Sequence, residues 1–176
     1  MSRKFACLVS LGLLLALGLG GCGGSGPSSD SSSATAGSAA DRALLQATVH
    51  SAALGLAGVA VSGSTLDQTI TRNYVHSVTF LADNSGYFFS YDRTTNVCVA
   101  HWKNRDWEGQ DKTAYQDSRG TYVIQELSKI ANTADAKGFL VYYWNNPTTG
   151  KEERKLGYIE VIPGTNVYIG SGIYIP

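Results

Sequence analysis

The chain has 176 residues, with 14 Lys and Arg against 14 Asp and Glu and a formal net charge of zero at pH 7. Its hydrophobic fraction of 43% is enough for one domain with a core of ordinary size. No basic stripe or patch is present, which excludes nucleic acid as the main partner.

Arg3 and Lys4 precede an apolar run from Phe5 to Leu19, and Gly20-Gly21-Cys22 closes it. This is the layout of a secretory leader, and the run is shorter than the roughly 20 residues of a membrane span. Leu19-Gly20-Gly21-Cys22 resembles a bacterial lipobox, although Gly20 stands where Ala or Ser is more usual. The expectation is a signal peptide over 1–21, cleavage before Cys22, and a diacylglycerol anchor on the Cys22 thiol. The alternative is an ordinary signal peptide with an incidental cysteine. The product is expected to be extracytoplasmic and membrane-anchored. Gly23 lacks the aspartate associated with inner-membrane retention, which favours the outer membrane in a cell with two. Cys7 leaves with the leader, so Cys98 alone remains and no intramolecular disulfide forms. In Val97-Cys98-Val99-Ala100 it reads as a small core residue rather than a reactive thiol.

Residues 22–40 are almost wholly Gly, Ser, Ala and Thr. Such a segment buries too little apolar surface to order itself and reads as a tether holding residues 41–176 roughly 20–25 Å from the membrane on average. Asp41 reads as the N-cap of a helix to Val61, with Leu45, Val49, Ala52, Leu56 and Val59 on its inner face. A second helix is expected over 65–79, burying Leu66, Ile70 and Val78. Beyond it, 15 of the chain's 18 aromatic residues lie between Tyr87 and Tyr174, mixed with β-branched residues, and this half reads as sheet. Strands are predicted over 87–91, 97–101, 139–144, 154–162 and 167–173, and a helix over 119–134. Turns at Asp92–Asn96, Asn145–Gly150 and Pro163–Asn166 make three of the four joints short. The fold class that follows is α+β, a five-stranded antiparallel sheet with a long N-terminal helix on one face.

Several phrases occur in a recognisable order. They are Gly86-Tyr87-Phe88-Phe89-Ser90-Tyr91-Asp92, Ala100-His101, Gly109, Asp117-Ser118-Arg119-Gly120, Gly138-Phe139-Leu140-Val141-Tyr142-Tyr143-Trp144 with Pro147, Lys155 with Tyr158, and Ile169-Gly170-Ser171-Gly172-Ile173-Tyr174. Over 41–176 the chain thereby resembles the single Cache domain, an extracytoplasmic small-molecule sensor with a PAS-like sheet. Trp102 stands where the family usually has a proline, and Val167 where it has a tryptophan. The resemblance implies binding of small organic ligands, often short carboxylates or amino acids, on one sheet face. It implies neither catalysis nor a cofactor.

Period-two alternation puts Tyr168, Gly170, Gly172 and Tyr174 on one face of the last strand, and the aliphatic side chains on the other. The glycines leave room, so the ligand is expected on their face, lined by Tyr142, Trp144 and Tyr158. His101, Trp102 and the loop bearing Tyr115 and Asp117 are expected as its lid. An anionic ligand needs a donor such as His101, or a cation from Lys103, Arg105 or Lys155. Parity sets Lys155 opposite Tyr158, so a twist or bulge would be needed to bring both into one site. Asp117 reads equally as a partner for a ligand amine and as a helix N-cap. His50 and His76 read as ordinary helix residues. Asp106, Glu108 and Asp111 read as a solvated loop more than a Ca²⁺ site, and no metal, phosphate-loop or Gly-x-Ser-x-Gly motif is found. No output domain is read after Tyr174. The expected partners are therefore a small-molecule ligand, the membrane through the lipid, and a membrane sensor or transporter. The rival reading is an interaction lipoprotein with a filled scaffold; an enzyme comes third.

Overall fold

Ser38 opens the first helix, and it does so reciprocally. Its hydroxyl accepts from the Asp41 N–H at 3.0 Å, while the Asp41 carboxylate accepts from the Ser38 N–H at 3.0 Å. Asp41 is thus the N3 partner in a capping box rather than the N-cap itself. The computed structural model describes residues 36–176; the leader, Cys22 and most of the tether lie outside the described residues.

Helix α1 runs Ala39–Ala60. Leu45, Val49, Ala52, Leu56 and Ala60 are buried, but Val59 is 68% exposed. The inner stripe leaves Leu56 by a step of four, to Ala60, and not by the expected step of three. By length and hydropathy α1 is apolar enough to cross a membrane, with a third of its most apolar window buried. Its inner face packs on the sheet, where each buried Leu or Val contributes on the order of 2 kcal/mol.

The second helix is shorter than expected. Thr65 and Leu66 instead pair back onto Ser62 and Val61 in a two-residue hairpin. Asp67 then caps α2 (Gln68–Ser77) through the N–H groups of Thr69 and Ile70. Thr71 and Val75 are its buried residues, while Ile70 stays exposed.

The sheet has five strands: β1 Phe88–Asp92, β2 Cys98–His101, β3 Lys137–Asn145, β4 Glu152–Val161 and β5 Val167–Tyr174. All neighbours are antiparallel, in the order β2-β1-β5-β4-β3. On one face Phe88, Leu156, Tyr158, Ile169 and Ile162 pack with α1. On the other, Tyr87, Phe89, Tyr91, Tyr142, Trp144, Ile159 and Tyr168 pack with α3 (Val123–Ala131) through Val123, Ile124 and Leu127. Helix α3 is shorter than the predicted 119–134 because Gly120, at φ +80°, closes a turn that helix geometry cannot continue.

A register shift between β1 and β2 decides which residues reach the α3 face. His101 pairs with Phe89, and Cys98 with Tyr91. Residues three apart normally point to opposite faces; the bulge turns both toward the aromatic core.

Candidate functional site

The α3 face of the sheet is built on small residues. A Cβ at Gly157 would lie 2.7 Å from Tyr142 Cε1, and one at Gly172 would lie 2.6 Å from Lys155 Cε and 2.8 Å from the Leu156 carbonyl. Glycine at these two positions lets Tyr142 and Lys155 lie flat on the sheet. Above them Phe89, Tyr91, His101, Val123, Ile124, Leu127, Tyr142 and Trp144 enclose a cavity with about 180 Å³ of empty space. Its interior has room for about one water. A ligand of even a few heavy atoms therefore enters only as the lining side chains move apart.

Two basic groups give the site its polarity. His101 is buried, and its Nδ1 accepts from the Lys103 and Asn104 N–H groups at 3.1 and 3.0 Å. Those bonds place the ring proton on Nε2. Burial, and after it the charge of Lys155, lowers the His101 pKa to about 3, so the ring is a neutral donor at ordinary pH. Lys155 is fully buried, and its Nζ has no hydrogen-bond partner. The nitrogen lies 3.9 Å from the Tyr87 ring centroid and 4.7 Å from that of Tyr174, an arrangement that stabilises a cation through the ring quadrupoles. Burial nevertheless holds its pKa well below the ordinary lysine range. The buried Tyr91 hydroxyl, in the lining, has no partner either.

The segment 102–122 covers the site. Trp102 stacks on Tyr87 with centroids 5.4 Å apart. Trp107 and Tyr115 pack on each other and on Trp144, at 4.9, 5.8 and 5.0 Å. Glu108 fastens this cover to α2: Oε1 lies 2.6 Å from His76 Nε2 and accepts from the His101 N–H at 3.1 Å, and Oε2 lies 3.2 Å from Arg72 Nε. Asp111 is occupied by Thr113. Among the described residues no three His, Cys, Asp or Glu side chains gather as a metal site. Burial pushes the Cys98 thiol up to about 12, which leaves it an inert part of the core.

The structure therefore brings His101, Tyr142 and Trp144 together in the lining, with Trp102 and Tyr115 in the cover. It separates two expected members. Tyr158 is on the α1 face, its ring 4.6 Å from Phe139. Asp117 is not a helix N-cap, since α3 begins after Tyr122. Its Oδ1 accepts from the Arg119 and Thr121 N–H groups and its Oδ2 from the Tyr143 N–H, at 3.0, 2.9 and 3.0 Å. The carboxylate bolts the cover to β3. Sequence reasoning missed Tyr87, Phe89, Tyr91, Tyr174 and the α3 residues, and it gave Lys155's place to Tyr158. The signal was present in the β3–β4 hairpin. Counting outward from the Asn145–Glu152 closure pairs Tyr142 with Lys155 and Phe139 with Tyr158, and paired residues share a face.

A model of the Cache domain matches residues 60–176. The chain belongs to the Cache domain family. Two curated proteins share a stretch of sequence with it. One is the methyl-accepting chemotaxis protein McpP of Pseudomonas putida, 30% identical over 93 residues, which are 53% of this chain and 17% of that protein. The other is the sensor histidine kinase MctS of Rhizobium johnstonii, 32% identical over 90 residues, 51% of this chain and 19% of that protein. The chain thus matches less than a fifth of either. Among solved structures, a methyl-accepting chemotaxis protein from Vibrio parahaemolyticus superposes with a TM-score of 0.65 at 29% identity, over 77% of this chain and 88% of that one. A Cache chemosensory domain described for its carboxylic acid recognition superposes at 0.61 with 21% identity, over 78% and 92%. The Cache domain here is homologous to sensory modules of chemoreceptors and kinases.

Proposed function

We propose that this protein is a lipid-anchored, extracytoplasmic Cache domain that captures a short monocarboxylate and presents or reports it to a membrane sensor or transporter. The observation that carries the reading is Lys155, a buried amine with no hydrogen bond and no anionic neighbour, which is the cross-strand partner of Tyr142 in the lining of a small apolar cavity. A carboxylate placed between Lys155 Nζ and His101 Nε2–H supplies the missing partner through charge-assisted hydrogen bonds. Val123, Ile124 and Leu127 then receive a short apolar tail.

The same geometry favours a simple acid over an amino acid. An α-ammonium needs acceptors, yet both oxygens of Asp117 are taken by backbone N–H groups and Glu108 is held by His76 and Arg72. Homology to a chemotaxis receptor and a sensor kinase supports the sensory role. The apolar leader ending at Cys22 supports the anchor and the extracytoplasmic location.

The test is thermal shift of the full chain with formate, acetate, propionate and pyruvate, against glycine, alanine and ethylamine. A dose-dependent rise with one or more acids is expected, abolished by Lys155→Met and retained in Tyr158→Phe. Ligand at 100 times Kd stabilises by about 2.7 kcal/mol. Absence of any response to the acids overturns the capture reading and leaves a filled scaffold.

A further inference from the structure

Lys155 sets a problem of charge balance that concerns more than the identity of the ligand. Its neighbours come from every strand of the site. Tyr87, next to the start of β1, and Tyr174 of β5 offer ring faces, Gly172 of β5 underlies Cε, Tyr142 of β3 is its cross-strand partner, and a charge on Lys155 would act against one on His101 of β2. Burial raises the pKa of all three tyrosines, so they stay protonated. Helix α3 contributes only apolar groups to the lining. Glu153, which acts on Tyr174, is hydrogen-bonded by Asn146 and Thr149. Among the described residues no carboxylate lies within ion-pair distance of Lys155.

An ammonium without an anion in such a place loses more in hydration than two aromatic faces return. The neutral amine is the stable form of the empty site. An anion entering alone would bury an unbalanced negative charge, which is equally unfavourable.

We propose that capture of the carboxylate takes up one proton: the anion enters, water delivers a proton to Lys155 Nζ, and the site holds a neutral ion pair. Charge and atoms balance, since the neutral amine, the carboxylate and the proton give an ammonium carboxylate pair. This inference rests on the carboxylate reading above. Its consequence is that occupancy follows the product of carboxylate and proton activities. Affinity falls on the order of tenfold per pH unit between the titration of the empty lysine and that of the occupied one.

The experiment is isothermal titration of the full chain with acetate and propionate at pH 8, in HEPES and in Tris, which differ in heat of protonation. The expected result is a binding heat that shifts between the buffers by the equivalent of nearly one proton per site. Kd should also weaken as pH rises, by up to about tenfold per unit in the interval between the two lysine titrations. In Lys155→Arg, whose guanidinium stays charged, any binding that remains should be independent of buffer and pH. Equal heats in the two buffers with wild-type protein, together with a Kd that does not vary with pH, overturn proton uptake and leave carboxylate capture standing. Absence of binding by any acid, in protein that still melts cooperatively, overturns the carboxylate reading and this inference with it.

Discussion

Gly172→Ala is the substitution that most directly probes how the floor of the site is built. The new methyl would lie 2.6 Å from Lys155 Cε, 2.8 Å from the Leu156 carbonyl oxygen and 3.1 Å from Lys155 Cγ. The lysine stem is flexible, but its side chain is wholly buried between two tyrosine rings. The carbonyl belongs to the β4 backbone opposite, where Gly157 pairs with Gly172, and it yields only if the ladder distorts. Overpacking of this kind costs about 1–3 kcal/mol, which for a domain of this size lowers Tm by roughly 3–12 °C. Because the clash pushes on Lys155, carboxylate affinity should fall as well. Gly55→Ala on α1 is the control: nothing lies within 4 Å of its Cβ, so it should stabilise by about 0.5–1 kcal/mol. Differential scanning calorimetry with and without acetate reads both effects. A Gly172→Ala protein with unchanged Tm and unchanged acetate response would refute the packing argument.

Two further outcomes are expected. Asp117→Ala removes three charge-assisted bonds to backbone N–H groups and should cost about 3 kcal/mol in urea unfolding. Asp117→Ser, which would be nearly silent at a helix N-cap, should also be costly because serine cannot bridge to Tyr143. His101, whose folded pKa of about 3 lies below its ordinary 6.5, contributes stability that is complete above pH 6.5 and lost as pH falls toward 3. The loss is about 2 kcal/mol by pH 5, and a stability profile of His101→Gln from pH 7 to 4 should be flatter by that amount.

Strand positions were legible because the aromatic half of the chain alternates cleanly and its turns carry Asn, Pro and Gly at the joints. The faces of the last strand were legible for the same reason: Tyr168, Gly170, Gly172 and Tyr174 do oppose Val167, Ile169 and Ile173. Relating one strand's face to the next was harder. Tyr158 and Lys155 differ by one in parity, and only the hairpin register says which of them joins Tyr142. The bulge that turns Cys98 and His101 the same way leaves no mark in composition. Asp117 looked like a cap because a helix does follow it, but the Gly120 turn intervenes and frees the carboxylate to reach Tyr143. Phe89, Tyr91 and the α3 residues look like core residues in sequence, and they become lining only because the packing between sheet and helix stops short of complete.

Strand β5, the last of the five in sequence, lies at the centre of the sheet, between β1 and β4. The β1–β2 and β3–β4 hairpins are each made from neighbouring sequence, but nothing joins them edge to edge until residues 167–174 arrive. Contacts of such long sequence separation fold slowly. The sheet therefore stays in two separate hairpins until residues 167–174 pair with both β1 and β4.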